Sequence, residues 1–581
     1  MIKKYFNDIK HRGLFKSKIL FPLAGIVLAC TVSLPTIYMS SNRVREEKIT
    51  IADNVAEQYF YEVNYTKAIE EYEKLLEIDD SPIWLVKISE IYSVQASLED
   101  SRNFISRAKE LRNNQIKDGI VTKKEDFKEK DSDLLNYIIF TEFMNKDYEA
   151  SLKDGEEALN LYPTNKNIIK TMFTVYMANK QIDKAKALIS SYPLDKESAY
   201  DMAEYARMLT IVDKWNEAFD YLKEAWNKDK DEYKVFDFIA QIAAYNKDSL
   251  IEKITTLINK NPSETSYKMW LAKIYSMKSE TSEEATKILE EVKDRDIGKI
   301  EPSLIRASIL QNTKEPEAAD EMIDRIISDN NSDYRVLHTA AWYYFNKKNY
   351  TVALNYCKQS ILKNKNYPDN YGFLMPEIMK AMNKSHEGEP YFRTAMRKEP
   401  YNYNIMVNIA NYYWHTTQDS DKALEYFKFA EMIKPNDGEV KYNMAMIHIN
   451  NKREDDAISL LKECIKIDES VPKYHRTLGT LYMIKGNMNE GIKETRAAYQ
   501  ADKNDILNLN NAGIYYITVE ENLDRGFYNI KRAYESIVEE TDKYTKDVIT
   551  ENYNKAKTLV DSFNNSSGNE NLKVPDFTLF Y

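Results

Sequence analysis

"YRVLHTAAWYYFNKKNYTVALNYCKQSILKN", residues 334–364, contains two helical stripes in succession. Ala340, Ala341 and Tyr344 fall on one face of a first helix. Tyr350 precedes a second helix whose Ala353, Cys357 and Ser360 again share one stripe. Small side chains at Ala341 and Ala353 let the two helices approach closely, while a ring of the Tyr344 type fills the gap toward a neighbour. The stretch therefore reads as a helix pair that cannot bury its apolar faces alone.

The pattern recurs. From Gly438 it gives Met444, Ala445 and His448, then Ala457, Leu461 and Cys464; from Pro472 it gives Leu478, Gly479 and Tyr482, then Gly491, Thr495 and Ala498. Other copies close on proline, at Pro163, Pro400 and Pro435. This organisation resembles the tetratricopeptide repeat, a helix pair of about 34 residues, and extends from Ile49 to about Ile537, or about 14 repeats. The resemblance implies an all-α superhelical solenoid in which neighbouring repeats bury a continuous core. Composition agrees: 14 glycines and 15 prolines in 581 residues leave few of the tight turns that β-proteins need. The forty-three tyrosines have to be spent on packing or binding.

Three places depart from the pattern. A charged insertion, residues 116–131, is expected to separate an N-terminal pair of repeats (49–115) from a middle array (132–332). That array is irregular from Glu232 onward, with Pro302 and Pro316 where an ideal repeat has none. In the C-terminal array (333–537), Pro376 interrupts a first helix. A capping helix is expected over 538–563, followed by residues 564–581, a polar run leading into an apolar end.

Ahead of the array lies "ILFPLAGIVLACTVSLPTIYM", residues 19–39, without a charge. Twenty-one residues of helix reach about 30 Å, enough to cross a bilayer core. Six basic residues and one acid precede it within residues 1–18, so the positive-inside rule keeps that end in the cytoplasm and sends the repeats across. The expectation is one transmembrane signal anchor in the cell membrane, of the membrane-anchored bacterial type, with an extracytoplasmic body. The alternatives are a lipoprotein cut before Cys30, although the apolar run continues well past that residue, and a cleaved secretory signal, for which "IYMSS" lacks small residues at both positions of the site.

Beyond Lys48 the net charge is about −17, with no basic face to attract nucleic acid. The three cysteines, Cys30, Cys357 and Cys464, are too scattered for a disulfide framework or a CxxC zinc site. None of the six histidines falls in HExxH spacing, and no P-loop, G-x-G-x-x-G or G-x-S-x-G occurs. No enzyme activity, cofactor or metal is expected.

In the family the chain resembles, the first helix of each repeat lines an inner groove. Carrying over the family's offsets gives Arg335, His338, Trp342 and Phe345, then Asn370, Phe373, Glu377 and Lys380. The next repeats give Asn404, Val407, Asn411 and Trp414, then Glu439, Tyr442, Met446 and Ile449. Aromatic surface on such a line marks a binding site. The expected role is a scaffold holding protein partners or peptide segments in an envelope or membrane complex. Envelope polysaccharide bound by the aromatic groove in exopolysaccharide secretion is one alternative, and a chaperone or secretion-assembly role is another. The apolar end, with Phe577, Leu579, Phe580 and Tyr581, is expected to dock in extended form in the chain's own groove, on a partner, or over the last helix.

Overall fold

The computed structural model describes residues 50, 52–119, 126–292, 297–313, 315–565 and 573–581. Among them every regular element is helical. Residues 19–39 lie outside the described residues; among those described, no helix is long and apolar enough to cross a membrane. The chain divides into two compact units, residues 1–154 and 155–581.

In the first unit, Tyr72 stacks on Trp84 at 6.3 Å over Leu75, Ile88 and Ile91. Leu85, Val86, Ile105 and Ala108 then pack against Leu134, Tyr137 and Ile138 of the helix Phe127–Met144. The charged insertion therefore does not separate the N-terminal repeats from the next helix. It joins two helices of one core, because the apolar face of Phe127–Met144 has its partners in Pro82–Val94 and Leu98–Lys117. Arg112 holds Asp131 through two guanidinium nitrogens across the same junction.

In the second unit the helix pairs follow one local recipe. Six of the first helices begin on an Asx or Ser cap: Asn165, Ser198, Asp333, Asn402, Asp437 and Asp505 each accept a hydrogen bond from a backbone N–H of the first turn. First helices close through a residue in the left-handed region, as at Lys348, Lys452 and Gly486. At Lys348 the reversal carries two bonds, Lys348 N–H to the Phe345 carbonyl at 2.8 Å and Asn349 N–H to Tyr344 at 2.9 Å. Since mostly non-glycine residues take these positions, the array turns often while using few glycines.

Small residues lie where helices touch. Ala341, Ala353, Cys357 and Ser360 are fully buried, as are Ala445, Ala457 and Cys464. The expected irregularity after Glu232 takes the form of one helix, Tyr233–Lys260. No glycine or proline interrupts it, so nothing forces the turn an ordinary repeat makes there. At Pro376 the chain forms a π-turn over Asn370–Leu374 before Met375–Ala381. Proline has no N–H for the carbonyl of Gly372, and the Asn408 side chain donates to that oxygen at 2.9 Å. The last helix runs Lys543–Asn565.

Candidate functional site

First helices of the second unit meet partners far along the chain. Lys170 pairs with Glu204 at 3.0 Å, and Tyr401 donates to the same carboxylate at 3.2 Å. Lys234 and Glu399 form an ion pair with almost no exposure. Gln241 donates to Asp369 at 2.7 Å and accepts from Arg207 and from Asn402. Tyr367 donates to Asp237 at 3.3 Å. Around these charges the rings of Tyr233, Tyr334 and Tyr367 meet edge to face, with centroids 4.8–5.3 Å apart. Much of the tyrosine content is thus spent inside the unit.

Burial lowers the Lys234 ammonium, in part against the attraction of Glu204. The Glu204 carboxyl stays below its ordinary value despite its own burial, held there by Lys170 and Lys234. Asp237 is driven well upward by burial and by Asp369 beside it.

This network takes up one end of the row assigned to ligand. Arg335 donates to Asp333 and to the carbonyl of Asp231. His338 and Asn370 are buried, with His338 Nδ1 and Asn370 Oδ1 2.8 Å apart, and the indole of Trp342 donates to His338 Nε2 at 3.1 Å. Arg335, His338 and Asn370 therefore have structural partners instead of facing an open groove, because Asp231, Tyr233 at the start of a distant helix, and Tyr367 meet this end. Trp342, Phe345, Phe373, Asn411, Trp414, Tyr442 and Met446 remain half-buried. Trp342 meets Phe345 edge to face at 5.5 Å, and Trp414 stacks on His415 at 4.6 Å. Tyr442 lies 5.5 Å from Tyr474, with Lys473 over its ring. Val407 is buried, and Lys380 and Glu439 are exposed.

The first unit carries a cleft of about 560 Å³ lined by Arg102, Lys109, Glu142 and Tyr148 among others. Burial pushes the Glu142 carboxyl up to about 8, against the pull of Lys109. Among the described residues, no group of three or more His, Cys, Asp or Glu is placed to hold a metal ion.

At the other end of the second unit, residues 573–581 run without helix against Pro472–Ile484, Ile506–Thr518 and Lys543–Asn565. Phe580 is buried, Phe577 and Leu579 are half-buried, and Tyr581 is 37% exposed. Phe577 packs with Ile514, Ile517 and Leu559, Leu579 also with Met483 and Tyr516, and Phe580 with Leu509, Ala533 and Ile549. The main chain of this segment is held by side chains that sequence reasoning missed: Arg476, Thr480, Asn510, Asn511, Asn552 and Lys555. Their signal was "NLNN", residues 508–511: asparagine is a poor helix former, and a cluster inside a helix calls for another purpose.

Residues 438–471 match the tetratricopeptide repeat family. No curated protein sequence matches the chain. Among solved structures, yeast Tom70 is 14% identical, covering 87% of this chain and 100% of its own, with a TM-score of 0.33. The Cut9–Hcn1 hetero-tetramer of the APC/C is 12% identical, covering 86% and 95%, with a TM-score of 0.32. Naa15/Naa10 bound to HypK-THB is 12% identical, covering 91% and 94%, with a TM-score of 0.35. The stretch 438–471 is thus matched as one tetratricopeptide repeat, and helix pairs with small residues at their contacts precede and follow it.

Proposed function

We propose that the protein is a non-enzymatic scaffold, anchored in the cell membrane through residues 19–39, whose extracytoplasmic repeats hold protein segments in an envelope complex. The observation that carries the binding role is the half-buried row on successive first helices: Phe345, Phe373, Trp414, Tyr442 and Met446. These side chains are large, and none is fully covered by the chain's own helices. Rings left partly wet in a line are suited to anchor an extended partner. Anchoring rests on the uncharged length of residues 19–39 and the basic excess before it.

Capture from detergent-solubilised membranes tests the reading. The full chain is expected to retain a discrete protein partner, and Trp414→Ala to weaken that complex by roughly 2 kcal/mol or more if the ring is an anchor. Thermal unfolding should stay nearly unchanged. Unaltered binding by Trp414→Ala, or competition by envelope glycan and not by peptide, would overturn it. A reporter enzyme active only in the cytoplasm, fused after Phe563, should be inactive; activity there would overturn the topology.

A further inference from the structure

The groove under residues 573–581 recognises main chain. Asn552 makes both bonds to one residue: it accepts from Thr578 N–H at 3.1 Å and donates to the Thr578 carbonyl at 2.8 Å. Two residues on, Asn511 does the same for Phe580, accepting from its N–H at 2.9 Å and donating to its carbonyl at 2.7 Å. Asn510 adds a second donor to the Thr578 carbonyl at 3.2 Å, and Thr480 a second donor to that of Phe580 at 2.6 Å. The two-residue spacing is that of an extended strand, so each amide side chain stands where a neighbouring strand's backbone would.

The clamp is built into the fold. Asn510, Asn511, Asn552 and Thr480 are all buried, and Asn552 also donates to Asn510 at 2.9 Å. Emptied, the groove would lose these six hydrogen bonds to main chain, which water or another extended backbone has to replace. A lid needed only to cover apolar helices would not require polar groups aimed at peptide N–H and C=O. Side-chain selection is looser: Phe580 alone is fully buried, while Val574, Asp576 and Thr578 face outward. What the groove reads is an extended backbone with apolar side chains in the order Phe577, x, Leu579, Phe580.

We propose that this groove is a binding site for an extended segment of a partner protein carrying that apolar pattern, and that residues 573–581 occupy it as an intramolecular competitor. The site is separate from the aromatic row, so the two succeed or fail independently. The chain between Asn565 and Lys573 spans at most about 25–30 Å when extended, a tether that holds the competitor at roughly millimolar effective concentration. A free segment therefore meets a groove already held against it.

The test uses a fluorescent peptide of residues 573–581 and a chain lacking those residues. The truncated chain is expected to bind the peptide one to one, and the full chain at least about tenfold more weakly. Asn511→Ala in the truncated chain, and Phe580→Ala in the peptide, should each weaken binding about tenfold or more. A truncated chain that keeps its helical signal and cooperative melting yet fails to bind the peptide overturns the proposal. So does equal binding by full and truncated chains. If truncation unfolds the last helices, full-length Phe580→Ala serves instead: it should bind the peptide more tightly than the unaltered full chain, and no gain would leave residues 573–581 as a structural cap only.

Discussion

At the scale of single residues, the most tightly specified chemistry in the second unit is a directional chain of hydrogen bonds. An indole nitrogen only donates, so Trp342 fixes His338 Nε2 as an acceptor and puts the ring proton on Nδ1, toward Asn370 Oδ1. Asn370 donates on to Ser360 at 2.8 Å, and Ser360 to the Tyr334 carbonyl at 2.8 Å. Protonating His338 would set one donor against another at Nε2. Burial lowers the pKa of His338, with Asp369 pulling the other way. The unfolded chain takes up this proton near pH 6.5 and the folded chain only below that, so folding stability falls as pH drops below about 6.5. Denaturant unfolding at about pH 7.5 and 5.5 should show a steeper loss for the unaltered protein than for His338→Gln; equal losses would show that the ring does not titrate in this way. The sequence did place His338 and Trp342 four residues apart on one face. It could not show that Asn370, from the next repeat, completes the chain, and without that partner both residues read as ligand-facing.

At the scale of elements, the small-residue stripe is what the sequence made readable, and it has a sharp consequence at Gly513 and Gly526. A Cβ on Gly513 would lie 2.7 Å from the carbonyl oxygen of Gly526 and 2.5 Å from Ile530, and one on Gly526 would lie 2.7 Å from the Gly513 oxygen. The helices Ile506–Thr518 and Leu523–Glu535 touch backbone to backbone there. Alanine ordinarily favours a helix over glycine by about 1 kcal/mol. Here the two backbones must separate to admit a methyl, so Gly513→Ala is expected to lower stability by about 1–3 kcal/mol net, measured by thermal unfolding. A neutral or stabilising result would mean the helices can part freely. Less of the element structure was legible where a side chain from elsewhere repairs the backbone. Pro376 signals an interrupted helix, yet nothing near it in sequence says that Asn408 will satisfy the Gly372 carbonyl. The long Tyr233–Lys260 helix likewise shows that a repeat can lose its turn when no breaker residue enforces one.

At the scale of the whole second unit, an ideal solenoid gains stability only from adjacent repeats. This one adds contacts that periodicity cannot reveal: Glu204 with Tyr401, Lys234 with Glu399, and Gln241 with Asp369 and Asn402. In the sequence Glu204, Lys234 and Glu399 look like solvated positions, because the partners just named lie well over a hundred residues away. Burying Lys234 and Glu399 is costly, and their attraction offsets that cost only while both are present. Lys234→Met should therefore cost about 3–5 kcal/mol by leaving the buried Glu399 charged without its counter-ion, with only the Asn402 amide donating to it. Lys234→Met with Glu399→Leu should recover most of the loss. Cooperativity should change along with stability. Distant contacts tie the 166–260 helices to the 367–434 helices, so the unaltered unit should melt as one, and the single substitution should split denaturant unfolding into two steps. A single substitution costing less than about 1 kcal/mol, with unfolding still in one step, would mean that neighbour stacking alone holds the unit together and the buried pair contributes little.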